Sequence, residues 1–209
     1  FEMDKLNMTD ILQYYGMYAS VYITLFSSIF AIMLSSNILA KEEADKTIEF
    51  LLARPVSRAE VVTGKLLNYL FYIFILNIII TIVSYISLEV LKKDNYSLQV
   101  FLILALASFL AQLTFANLGF LISLFIKNKK SINSIGIGLV LGMYFLGVVS
   151  RISDKIIFLS YFTPFQYASP SDIISEGRIK LAYIIIIAIV NIASIAGTYF
   201  VYNKRDINV

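Results

Sequence analysis

The chain has 209 residues, 59% of them hydrophobic and only 15% charged, with a mean hydropathy of +0.80 and a formal net charge of +3. It contains no cysteine and no histidine, which excludes disulfides, thiolate metal sites and histidine general-base chemistry, and its small charge is spread along loops, with no nucleic-acid signal. Uncharged apolar runs long enough to cross a hydrocarbon core of about 30 Å recur along it, without the strict alternation of an outer-membrane strand, so the chain reads as an all-α integral membrane protein.

Five transmembrane helices are expected, at about 14–40, 60–91, 98–126, 132–150 and 182–203, within one transmembrane domain covering 1–209. The first carries an i+4 aromatic ridge of Tyr14, Tyr18, Tyr22, Phe26 and Phe30. Packing against core or lipid, with an aromatic belt at the outer end, accounts for such a ridge. A sharper reading makes Tyr14, Tyr18, Tyr22 and Phe26 line the path of an amphipathic substrate.

Residues 41–65 are a charged island. They hold ten of the 31 charged side chains, whereas 11–40 and 66–91 together contain only Glu89. Lys41 with Asp45 and Glu42 with Lys46 are spaced i,i+4, and Ile48, Leu51 and Leu52 form an apolar stripe. A helix over about 41–53 is therefore expected to lie along the membrane surface. Pro55 stops it by pushing Arg54 out of the helical region. Ser57-Arg58-Ala59-Glu60 is a capping box, so a new helix is expected from residue 58 into the second span. Thr63-Gly64-Lys65 invites a phosphate-loop reading, but Ala59 and Leu66 stand where that pattern requires Gly and Ser or Thr.

The second run is too long for a perpendicular crossing and is expected to protrude or tilt. Within the spans the polar residues are neutral: Asn77, Gln112, Asn117 and Asn191 read as residues that join helices. Buried carboxylates of the kind that mark ion pathways are lacking. In the fourth span, Ser134, Gly138 and Gly142 recur every four residues, a small-residue face for helix packing within the subunit or between two subunits. Ala193 and Gly197 make a weaker pair in the last span. Before that span, the loop 151–181 holds IIFLSYF (156–162), Pro164, and Ser-Pro-Ser-Asp at 169–172. It is expected to be a re-entrant or interfacial outer segment, with a folded loop containing an apolar strand as the alternative.

Orientation follows from lysine and arginine. With 41–65 in the cytosol, that side collects ten of the 17 basic residues, which places the C-terminus inside. The odd span count then leads to the expectation that these are the last five of six spans.

The stretch SSNILAKEEADKTIEFLLARPVSRAEVVTGKLL (35–67) resembles the region after the second span in permease subunits of the ABC-2 transporter family. The matching positions are Glu43, Thr47, Glu49, Leu51, Leu52, Pro55, Val56, Ser57 and Arg58. The segment 159–174 and the ending NKRDINV are also similar to that family. The resemblance implies that 41–53 is a cytoplasmic coupling helix, with Glu42, Glu43, Glu49, Leu51, Arg54 and Arg58 contacting an ATPase and Pro55 and Ser57 fixing the geometry. It implies an exporter permease in the cell membrane, paired with a second permease subunit, identical or not. Two separate ABC ATPase subunits would carry the ATP and Mg2+. No catalytic residue, metal ligand or cofactor is expected in this chain. An ATP-independent secondary transporter or channel subunit is the alternative.

Overall fold

A computed structural model of the chain describes residues 11–44, 57–92, 95–126, 129–152 and 154–204. The described residues are helical, and none forms a strand. The first span comprises α1 (Ile11–Tyr14), a π-helical segment (Tyr15–Ser20) and α2 (Val21–Ala44). The other long helices are α3 (Arg58–Leu91), α4 (Leu98–Ser123) and α5 (Lys129–Ser150). A 3-10 helix (Asp154–Phe162), α6 (Pro164–Tyr167) and α7 (Pro170–Glu176) then lead into α8 (Leu181–Lys204). Among the described residues, five helical stretches are long and apolar enough to cross a membrane.

The boundaries fall within a few residues of the expected spans, with one informative difference. The first span's helix continues through Ala44, so Lys41, Glu42, Glu43 and Ala44 form its last turn, not the opening of a separate helix. Residues 45–56, the rest of the expected coupling helix, lie outside the described residues. At 34 residues, α3 is about 51 Å long. It exceeds the roughly 30 Å hydrocarbon core, as its composition led us to expect.

The bundle is organised around α4. In its most apolar stretch 44% of residues are buried, against 11% for α3. The closest seam is α2 against α4, built from small residues. Ser20 of the π-helical segment and Thr24, Ser28, Ser35 and Ser36 of α2 are buried, and hydroxyls on α2 donate to carbonyls of their own helix, such as Ser35 to Ile32 O at 3.1 Å. At Gly119 the helices nearly touch. A Cβ built there would stand 2.8 Å from Ser35 Oγ and 2.9 Å from the backbone oxygen of Ile32. In a membrane, where apolar contact with lipid competes with contact between helices, such close approach supplies the packing.

Within this chain the α5 glycines that pack are Gly136, against Ile32, and Gly147, against Thr163; the face of Ser134, Gly138 and Gly142, expected to pack within the subunit or between two subunits, is not covered by the described residues. Ser134 is exposed, and a Cβ at Gly138 or Gly142 would meet nothing within 4 Å among the described residues. The i+4 recurrence marks a real face of α5, but within this chain that face is open. Gly197 does pack, against Leu121.

The segment before the last span folds as short helices, which removes the strand alternative for it. Pro164 and Pro170 each stand at a helix start, where the missing N–H costs nothing. Thr163 caps α6 by accepting from Phe165 N at 3.3 Å. Gly177, with φ of +66°, ends α7 in the left-handed conformation that glycine adopts freely. This hairpin docks on the π-helical segment. A Cβ at Gly16 would lie 2.5 Å from Ile174 Cδ1, the end of a side chain that would have to turn aside, and 3.4 Å from Pro170 Cβ. The π turn was not expected from the sequence, whose apolar pattern is continuous through it.

Candidate functional site

The charged island takes in the last turn of α2, residues 45–56, which lie outside the described residues, and the start of α3. Of its candidate contact residues, Glu42 and Glu43 lie in the last turn of α2, and Glu49, Leu51, Arg54 and Pro55 lie outside the described residues. Ser57 and Arg58 are described. Ser57 is the N-cap of α3: its hydroxyl accepts from Glu60 N at 3.2 Å, and Glu60 Oε2 accepts from Ser57 N at 2.7 Å. Two backbone donors that a helix start leaves unsatisfied are thereby paired, as the sequence pattern indicated.

The first turns of α3 are also fastened to other spans. Arg58 Nη1 donates to Asn203 O at 3.0 Å, supplying a cation and a donor to the C-terminal end of α8, whose carbonyls lack helical partners. Thr63 Oγ1 donates to Ala59 O at 2.7 Å and lies 2.6 Å from Tyr199 Oη. With its single proton committed to Ala59, Thr63 accepts from Tyr199. Lys65, 8% exposed, donates to Ile38 O of α2 at 3.3 Å. Beneath these contacts Val62 and Tyr69 are fully buried with Ala31, Ala116, Phe120 and Tyr202, which come from α2, α4 and α8. Residues 58–69 thus join the start of α3 to three other helices.

Deeper in the bundle the neutral polar residues do join helices. Tyr69 Oη donates to Asn117 Oδ1 at 2.5 Å, and Asn117 Nδ2 donates to Asn191 Oδ1. Asn191 Nδ2 then donates to Thr114 Oγ1 at 3.1 Å and to Ile187 O at 2.7 Å. One directional chain therefore runs from α3 through α4 to α8 and back. A second bond set pairs Asn77 and Gln112 side by side, at 2.6 and 3.2 Å. Asn77, Gln112, Asn117 and Asn191 each have their partners, so the set reads as a structural seam.

The aromatic ridge faces outward from this chain. Tyr14 is 58% and Phe26 65% exposed, and Tyr18, Tyr22 and Phe30 are exposed as well. Tyr14 with Tyr18 and Tyr22 with Phe26 make ring contacts along it, at centroid distances of 4.9 and 6.5 Å. Thr63, Gly64 and Lys65 are in mid-helix, which is not the loop geometry of a phosphate cradle. Among the described residues, no group of three or more His, Cys, Asp and Glu side chains could hold a metal ion.

Sequence reasoning missed Tyr199 and Asn203 as partners of the island, because 136 and 145 residues separate them from Thr63 and Arg58. Thr63 and Lys65 drew attention only as part of a failed phosphate motif. Their location on a helix starting at the capping box was the usable signal.

Comparison with known families adds one finding. The model for a family described as ABC-2 family transporter protein matches residues 2–207. No curated protein gives a significant match to the chain.

Proposed function

Taking as premise that the chain belongs to the ABC-2 transporter family, whose members are the transmembrane permease components of ABC transporters, we propose that it couples ATP hydrolysis by separate ATPase subunits to the export of a substrate. ATP and Mg2+ would be held by those subunits. The island 41–58 would be their docking element on the cytoplasmic side of the cell membrane, with Glu42, Glu43, Glu49, Leu51, Arg54 and Arg58 in contact. Pro55 and Ser57 would set the angle between the docked segment and α3. A second permease subunit would complete the translocation path, and the exposed ridge of Tyr14, Tyr18, Tyr22 and Phe26 would line it. The end of α8 lies beside the start of α3, since Arg58 reaches Asn203, and the C-terminus that follows would be cytoplasmic with the island.

The observation that supports this reading best is the fastening of the start of α3. A push or pull on the island is applied directly to α2 and α3. Through Arg58, Thr63 and Tyr69 it is passed to α8 and α4. An ion-gradient-driven transporter would place ionisable groups inside its spans. Among the described residues the one buried charged side chain is Lys65, two turns from the start of α3.

The test is purification of the tagged chain from its native membrane. The expected result is an ABC ATPase recovered with it, whose ATP turnover changes when the permease is present. Recovery without any ATPase, together with transport that follows an ion gradient in ATP-free vesicles, would overturn the proposal.

A further inference from the structure

At the end of the bundle away from the island, a cleft of about 80 Å³ opens between α2, α5 and the short helices before α8. Its walls include Val21, Tyr144, Val148 and Phe165, and Arg151 and Gln166 add polar groups. Arg151 follows the last residue of α5, so it stands where a span leaves the hydrocarbon and meets lipid head groups. Its Nη2 donates to Gln166 Oε1 at 2.9 Å, and the Gln166 amide nitrogen reaches Tyr183 Oη at 3.5 Å. The guanidinium is thus positioned by a neutral amide that is itself positioned by α8.

Lys92, Arg178 and Lys180 at this end face carboxylates instead. Glu176 accepts from Lys180 at 3.0 Å and lies 3.9 Å from Arg178 Nε, and its hydrogen bond holds the Lys180 ammonium above its ordinary pKa. Lys92 pairs with Glu89 at 2.6 Å. Arg151 has no carboxylate within ion-pairing distance among the described residues. A guanidinium carries five N–H donors in a planar fork that matches phosphate, and the bond to Gln166 uses one. A cationic fork at head-group depth, beside a cleft with apolar walls, is complementary to an anionic amphiphile.

We propose that this cleft binds an anionic phospholipid from the adjacent leaflet, with its phosphate on Arg151 and the first carbons of an acyl chain between α2 and α5. The site is distinct from the island and does not rest on the ATP-coupling proposal. Bound there, a lipid would touch α2, α5 and the hairpin together, near where Gly16 of the π-helical segment meets Ile174 and Gly147 of α5 meets Thr163.

Native mass spectrometry of the purified transporter, titrated with phosphatidylglycerol in detergent, tests the proposal. One phosphatidylglycerol per chain is expected to persist at high activation energy, and phosphatidylcholine to be lost sooner. Arg151→Gln is expected to weaken retention about tenfold, the scale of one charge-assisted hydrogen bond. Arg151→Lys should weaken it less, because charge remains without the fork. Val148→Phe, which fills the cleft and leaves the guanidinium in place, should also reduce retention, while Lys155→Gln should not. Equal retention by wild type, Arg151→Gln and Val148→Phe would overturn the proposal. So would equal losses from Lys155→Gln and Arg151→Gln, or displacement of the lipid by millimolar inorganic phosphate.

Discussion

Replacing Gly119 with alanine tests whether α2 and α4 meet as described. The added methyl would lie 2.6 Å from Ile32 Cγ1, 2.8 Å from Ser35 Oγ and 2.9 Å from Ile32 O. The first two contacts belong to side chains that can rotate, but the third is backbone. Restoring an ordinary contact of 3.4 Å requires α2 and α4 to separate by about 0.5 Å along the seam. Overpacking of this kind costs about 1–3 kcal/mol. The higher helix propensity of alanine offsets up to about 1 kcal/mol of that, leaving a net loss of up to about 2 kcal/mol. Gly138→Ala supplies the internal control, because nothing lies within 4 Å of its Cβ position and only the propensity gain applies. Unfolding of the purified chain by increasing denaturant in detergent, followed by far-ultraviolet circular dichroism, compares the two. Gly119→Ala should unfold earlier than wild type and Gly138→Ala at the same point or later. Equal midpoints, or the reverse order, would refute the packing argument.

Asn117→Ala removes the acceptor for Tyr69 and the donor to Asn191. At about 0.6 kcal/mol for an average interhelical bond in a membrane and 1.7 for the strongest measured, it should cost about 1–3 kcal/mol in the same unfolding assay. Tyr199→Phe deletes the donor to Thr63 at an exposed contact and should leave the unfolding midpoint within about 0.5 kcal/mol of wild type. On the coupling proposal, the same variant lowers permease-dependent ATP turnover severalfold with the ATPase still bound. Ser57→Ala removes half of the capping box at a cost of about 1 kcal/mol. Amide hydrogen exchange in the first turn of α3 should therefore accelerate about fivefold, with α4 unaffected.

Much of this architecture is visible in the sequence because the bilayer allows so little else. Uncharged runs gave all five spans, and Ser57 with Glu60 gave the start of α3 from four consecutive residues. The neutral amides Asn77, Gln112, Asn117 and Asn191 were readable as joints, because an unpaired amide in hydrocarbon is costly. Their pairings were not readable. Tyr69, Asn117 and Asn191 sit on three different helices, and nothing local fixes which of them meet. The glycines show the same limit more sharply. Ser134, Gly138 and Gly142 have the better spacing, yet Gly119, Gly16 and Gly147 make the close approaches. Spacing shows that a small-residue face exists; which neighbour covers it depends on how the helices are arranged. The π turn at Tyr15–Ser20 left no trace in an apolar pattern that tolerates either pitch, and Arg151 reads in sequence as one loop cation among several.

The most direct test of the coupling proposal is charge reversal on the island. In a tagged chain carrying Glu43→Lys and Glu49→Lys, membrane insertion and the unfolding midpoint should match wild type. Recovery of the ATPase with the permease, and the ATP turnover that depends on it, should both fall at least severalfold. Normal recovery of the ATPase together with normal ATP turnover in that variant would contradict the assignment of the island as the coupling element.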